Sequence, residues 1–412
     1  MITEAAKTLT DSLRLFTPCP PAADRECWET LPEDLKARLI KNGEAYLHYE
    51  YPALTAVDFM EFTRSGNRSR YQDRLFARRT ALDSLVLAEC AEHHGRFLDD
   101  IINGLYLICE ENAWQLPAHN SYIRDTPQFP LPDVTRPVID LFAAETASVL
   151  AVAEYLLRSE LKEVSPFLSV MIDHELETRI FTPYLSEHFW WMGDGKSHMN
   201  NWTVWCTQNV LLSAFTRPLP KETQTAILTK AAGSIDYFLA EYGEDGCCDE
   251  GAQYYRHAGL CLFGCLEILN GITDHAFSFA WEQEKIRNIA SYILNVHVDT
   301  IYYVNFADCS PVAGRCNARE YLFGKRTGNQ ALMEFAASDY QNSEDPLTLD
   351  EHNLFYRLQT VFSHEEMMQH DRNPVIVHRD LYYESVGLFM ARDSRLYLAV
   401  KGGDNDDSHN HN

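Results

Sequence analysis

The sequence has no run of about 18 or more apolar residues, so no stretch has the length of a membrane-spanning helix. Nor does it open on a basic segment followed by an apolar one: Met1-Ile2-Thr3-Glu4-Ala5-Ala6-Lys7 carries no signal-peptide pattern. Basic charge is scarce. Lys and Arg number 35 against 60 Asp and Glu, a formal net charge of −25. A generic nucleic-acid binder needs a basic footprint, which excludes that class. A long, densely sulfated partner would need a cleft of locally opposite sign. Regular cysteine spacing is missing too. The eleven cysteines are odd in number, with Cys247 beside Cys248 and Cys261 four before Cys265. That is no disulfide framework, and buried reduced thiols are expected rather than a metal site. Together these absences predict a cytoplasmic protein, or a periplasmic or secreted one if a leader has been removed.

What is present is core. A chain of 412 residues exceeds what one core usually supports, so two domains are expected. Apolar residues make up 46% and aromatics 12%, including seven Trp and 21 Tyr, which fills a large interior and also suits stacking on sugar rings. From about Leu31 to Asp371 the pattern is helical. Pro32-Glu33-Asp34 opens a helix whose apolar positions are Leu35, Leu39 and Ile40. Further helical stretches run over 70–93, 97–112, 138–157, 164–181, 201–215, 222–242, 251–270 and 281–298. Helices of this length with short Gly/Pro/Asn loops predict antiparallel pairs, and the lack of a strict repeat favours an α/α toroid over a regular solenoid. The texture changes after Asn373-Pro374. Val375–His378, Glu384–Arg392 and Arg395–Lys401 are short β-rich runs, the last two joined by an Asp393-Ser394 turn. The expected division is therefore a mainly α domain over 1–372 and the first strands of an antiparallel β-sandwich over 373–412. About 40 residues do not make a stable sandwich, so the second domain reads as truncated.

Three constellations could carry chemistry. Asn200-Asn201-Trp202 opens a helix; one Asn there is an ordinary cap, but two amides beside a helix N-terminus can also hold a carboxylate. Asp249-Glu250-Gly251-Ala252-Gln253-Tyr254-Tyr255-Arg256-His257 reads either as an acidic helix start with core tyrosines or as an acid–base site built on a phenol. His409-Asn410-His411 places two imidazoles on one side of a strand, a spacing that suits metal binding. Trp114 to His119, Arg179 and Asn305-Phe306-Ala307-Asp308 are smaller candidates. The arginines at 64, 68, 70, 74, 78 and 79 read mainly as a solvated helix face and ion pairs.

Taken in order, these pieces resemble the heparinase II/III-like polysaccharide lyases, a family that includes oligoalginate-lyase-like members. The match runs from roughly Cys109 to the last residue. It comprises Glu110-Glu111-Asn112-Ala113-Trp114 with Pro117 and His119, Asp140 to Thr146, the Asn-Asn-Trp at 200–202, Asp-Glu-Gly-x-x-Tyr-Tyr at 249–255, Asn305 to Asp308, and the terminal His-x-His. The resemblance implies an α/α toroid followed by a β-sandwich, and β-elimination on uronic-acid poly- or oligosaccharide. In that chemistry Asn200 or Asn201 neutralises the substrate carboxylate, Tyr254 or Tyr255 serves as acid or base, and His409 completes the site. Tyr254 lies as far beyond Asn200 as Tyr255 lies beyond Asn201, so the register is ambiguous by one; the Glu-Gly-x-x-Tyr pattern favours Tyr254. Trp114, His119, Arg179, Trp202, Glu250 and His257 are the implied substrate contacts. His411 matches a ligand of a structural zinc whose site is incomplete in this chain. The partners expected are an acidic poly- or oligosaccharide and, in a homodimer, a second copy of the chain, with neither nucleic acid nor membrane. Two other readings stand beside this one. One is a toroidal glycoside hydrolase of the unsaturated glucuronyl type, with Asp249, Glu250 or Asp308 as its acid. The other is a non-catalytic carbohydrate-binding remnant.

Overall fold

Helices covered on most sides bury residues around most of their circumference, and six helices do so. They are α1 (Ser69–Glu92), α2 (Leu141–Val164), α3 (Asn201–Phe215), α4 (Gly259–Ile272), α5 (Ala318–Thr327) and α6 (Leu354–Met368). Every residue of α3 from Thr203 to Phe215 is buried. Each helix of the six contacts the next, α6 returns to α2, and Arg357 on α6 donates to Ser84 Oγ on α1. Further helices pack against them: Glu33–Glu44 on α1 through Leu35 and Leu39, Lys221–Glu241 on α3, and Gln330–Gln341 on α5. The computed structural model describes residues 1–9, 13–347, 351–393 and 395–402. The protein is 58% helix and 5% strand, a mainly α chain with a small antiparallel sheet near its C-terminus. Among the described residues no helix is long and apolar enough to cross a membrane, and no disulfide joins the cysteines, ten of which are buried.

Side-chain caps fix where the buried helices begin. Asp140 Oδ1 accepts from Ala143 N at 2.7 Å, Asn200 Oδ1 from Trp202 N at 3.1 Å, and Asn353 Oδ1 from Phe355 N at 3.1 Å. Asn317 and Glu320 form a reciprocal capping box at the start of α5.

Two boundaries differ from the sequence pattern. The stretch expected as one helix over 251–270 is a short helix, Gly251–Tyr254, then a turn, then α4. Ala258 leaves the helical region at φ −98°, ψ −81°, a backbone change that apolar periodicity does not signal. The helix expected to run to Val298 stops at Asn295, and a hairpin of β1 (His297–Asp299) and β2 (Tyr302–Tyr303) follows.

The C-terminal sheet has the order β3 (Leu381–Tyr383), β4 (Leu388–Arg392), β5 (Tyr397–Lys401), antiparallel throughout. The β4–β5 hairpin is where the sequence places it. Val375–His378, expected as a strand, is not one: Val375 is 89% and Val377 80% exposed, and no ladder partner lies beside them among the described residues. Alternation sets the sheet's two faces. Tyr383, Leu388 and Met390 point into the core shared with the helices, and Asn295 Nδ2 donates to Tyr383 Oη at 2.9 Å. Tyr382, Phe389, Leu398 and Val400 lie on the other face and are exposed.

Candidate functional site

A cleft of about 570 Å³ opens at the N-terminal end of α3, lined by His119, Tyr122, Arg124, Trp190, His198, Asn200 and Trp202 among others. Its walls are aromatic. The His119 and Trp202 rings meet edge-on at 4.7 Å, and Trp190 lies 5.1 Å from Trp202. The Arg124 guanidinium sits 4.6 Å over the Trp190 ring. His119 is fixed from behind: its Nδ1 is 2.7 Å from Oδ2 of the buried Asp140, which also accepts from Leu116 N at 3.1 Å. One carboxylate thus caps α2 and orients a cleft residue. The ring contacts continue inward from His119 through Phe142 and Trp205 to His257 and Tyr254.

The next layer joins the two sequence motifs. Glu250 Oε1 accepts from Asn201 N at 2.8 Å, and its Oε2 accepts from Asn201 Nδ2. Gly251 turns the chain at φ +87°, and a Cβ there would lie 2.5 Å from Phe306 O, so only glycine fits this close approach. The loop around Phe306 is thereby seated on the motif, with Gln253 Oε1 accepting from Ser310 N at 3.2 Å. Asn305 to Asp308 and Asp249 to Tyr255 are distant in sequence and adjacent here.

Contacts separate the two buried asparagines, and exposure the two tyrosines. Asn201 is 1% exposed and held by Glu250, whereas Asn200 lines the cleft and a smaller neighbouring cavity. Tyr255 is 0% exposed, with its hydroxyl donating to Ala290 O at 3.3 Å; Tyr254 is half-buried. Burial, then the nearby Asp308 and Glu250 carboxylates, raise the Tyr254 phenol above its ordinary pKa. His257 stacks on Trp205 at 4.0 Å, and burial beside Arg319 and Arg256 lowers it to about 3, so it is a neutral ring.

Other expected residues sit elsewhere. Trp114 is buried and donates to Ile108 O. Arg179 lies 4.8 Å over its ring and pairs with Glu175, in a separate groove of about 270 Å³. The structure brings neither to the cleft, whereas His119, Asn200 and Trp202 meet there. Arg78 and Arg79 are buried and both pair with Glu111, a structural role. His409 and His411 lie outside the described residues. Among the described residues no group of three or more His, Cys, Asp or Glu side chains is placed to hold a metal ion.

Four of the cleft residues named above were not singled out from sequence: Tyr122, Arg124, Trp190 and His198. His198 Nδ1 is 2.9 Å from Glu241 Oε2 and its Nε2 is 3.5 Å from Asp249 Oδ2. The hydrogen bond to Asp249 raises its pKa above the ordinary value, against the opposing effect of burial. Its position two residues before Asn200 was the one available signal; its carboxylate partners come from other segments. Chemically, the cleft offers flat apolar walls, an amide, and two basic side chains that each stand beside carboxylates, Arg124 with Asp125 at 3.5 Å and His198 with Glu241 and Asp249, a mixed polar and aromatic set suited to a sugar ring. No protein-family model matches the chain, and no curated protein matches it.

Proposed function

We propose that the protein is a lyase that cleaves uronic-acid poly- or oligosaccharide by β-elimination. The observation that carries this reading is the junction through Glu250, which ties the Asn200-Asn201 helix start to the Gly251–Tyr254 turn. The C5 proton of a uronate lies next to a carboxylate and leaves only when the developing enolate is stabilised. In this reading the Asn200 amide and His198 bind that carboxylate, while Trp190, Trp202 and His119 bracket the ring. Tyr254, whose raised pKa keeps its phenol protonated, delivers a proton to the leaving glycosidic oxygen. His409, the further acid–base group of the resemblance, takes the C5 proton, so that one proton leaves carbon as another reaches the departing oxygen. The closed circuit of six buried helices supports an α/α toroid, and the apolar outer face of the C-terminal sheet suits a sandwich.

The test is a panel of uronate oligosaccharides and glycosaminoglycans, read by the ultraviolet absorbance of the C4–C5 double bond in the product. Asn200→Ala and Tyr254→Phe should each lower the rate about a hundredfold or more, and Asn200→Ala should also cost about 1 kcal/mol through loss of the α3 cap. Release of reducing ends without that absorbance would establish a hydrolase, with Asp249, Glu250 and Asp308 as the candidate acids, and the lyase reading would fall.

A further inference from the structure

A second cavity, of about 140 Å³, lies among the buried helices on the side of α5 and α6. Four arginines line it, Arg256, Arg315, Arg319 and Arg357, with Glu320 and Glu351 as its acids. In a chain of net charge −25 this local excess of cations stands out. Arg315 is neutralised by Asp339 at 3.1 Å. Arg256 donates to Arg315 O at 2.6 Å and stands 3.9 Å from Glu320, whose other oxygen accepts from Asn317 N in the α5 cap. Arg319 and Arg357 differ from these two. They are 8% and 6% exposed, and among the described residues neither guanidinium forms an ion pair with a carboxylate. Arg319 has the Tyr356 ring at 3.6 Å and the Cys261 thiol at 3.5 Å. Arg357 has only the Ser84 hydroxyl, shared by two of its nitrogens at 3.3 and 3.4 Å. The nearest acids act on them from beyond ion-pair distance: Asp83, whose carboxyl burial raises and Arg357 lowers, has no hydrogen-bond partner on either oxygen, and Glu351, which accepts from Asn353 N, attracts both guanidinium groups without pairing with either.

A guanidinium carries five donors in a planar fork, and burying one without an anionic partner is costly. Two such forks on one cavity wall, with room for a group several times larger than the 10–15 Å³ or so a single water needs, make a built site for an oxoanion.

We propose that this cavity binds a small oxoanion, a phosphate or a carboxylate, held between the Arg319 and Arg357 guanidinium groups. The site is separate from the aromatic cleft and does not depend on the lyase reading. Its test is calorimetric titration of the full chain with inorganic phosphate, acetate and glucuronate, each at ionic strength matched with chloride. One-site saturable binding of at least one probe is expected. Arg319→Lys and Arg357→Lys keep the charge but lose the bidentate fork, and each should weaken that binding at least tenfold. Arg96→Lys, on an exposed ion pair, should leave it unchanged. Heat from phosphate alone identifies a free phosphate as ligand; heat from glucuronate and acetate alone identifies the carboxylate of a sugar acid. Hydrogen exchange of the wild type gives the same answer without substitution, as slower exchange over 353–361 on adding the bound probe. Absence of saturable heat with all three probes, or binding equally strong in both lysine variants, overturns the proposal.

Discussion

Asp140 is the residue on which fold and cleft depend together, and its replacement makes a graded prediction. Its Oδ1 caps α2 through Ala143 N, and its Oδ2 accepts from Leu116 N and faces His119 Nδ1, all at 2.7–3.1 Å and at 0% exposure. Asp140→Ala removes the cap, worth about 1 kcal/mol, and leaves two buried donors unmet at about 1–3 kcal/mol each. These losses are not additive within one network, so about 3–5 kcal/mol is expected. Asp140→Asn keeps the capping oxygen but turns an amide NH₂ toward Leu116 N and His119. The loss there is about 1–3 kcal/mol from one donor–donor conflict. It also reverses the His119 tautomer. In the wild type Nδ1–H donates to Asp140, leaving Nε2 an acceptor; opposite an amide donor Nδ1 must accept, and Nε2–H becomes the donor. Urea unfolding measures the first effect and nitrogen chemical shifts of the labelled ring the second. If Asp140→Ala costs under about 1 kcal/mol, or if Asp140→Asn leaves the tautomer unchanged, the three-bond account of this carboxylate is wrong.

Two further predictions concern buried groups. Glu145 is 7% exposed and accepts from Trp205 Nε1 at 3.0 Å; burial, and then Glu351, raise its pKa from 4.5 to about 8. A folded-state pKa above the unfolded one means stability is fully present below about pH 4.5 and is lost as pH rises toward 8. Glu145→Gln should abolish that decline, gaining roughly 2–4 kcal/mol over wild type at pH 8; parallel stability–pH profiles for the two proteins would refute it. Gly251→Ala should cost about 2 kcal/mol or more, from positive φ together with the Phe306 O contact, and should free the 305–310 loop. Proteolysis within that loop, compared with wild type, reads the second effect.

Much of this architecture was written in local sequence. Pro32-Glu33-Asp34 marks a helix start because proline presets the first turn and acids suit its N-terminal dipole, and Asn200 marks one because its side chain satisfies the Trp202 backbone donor. The β4–β5 hairpin was legible because its turn residues sit between two alternating runs. The break at Ala258 and the end of the helix at Asn295 were not, since apolar spacing continues through both.

The candidate site divides in the same way. Sequence alone supplied Asn200, Tyr254, His119 and Trp202 as residue types suited to the chemistry, and it left each Asn/Tyr pair ambiguous by one position. Neighbours in a helical start differ by about 100° in direction, so only packing decides that Asn200 lines the cleft while Asn201 is spent on Glu250, and that Tyr254 is half-buried while Tyr255 is spent on Ala290. Tertiary structure also drew in Arg124, Trp190 and His198 and left Trp114 and Arg179 in another groove. It set two arginines of α5 and α6 around one cavity, neither of them ion-paired among the described residues. These are relations between segments far apart in the chain, fixed by the long-range packing of helices and invisible to any local pattern.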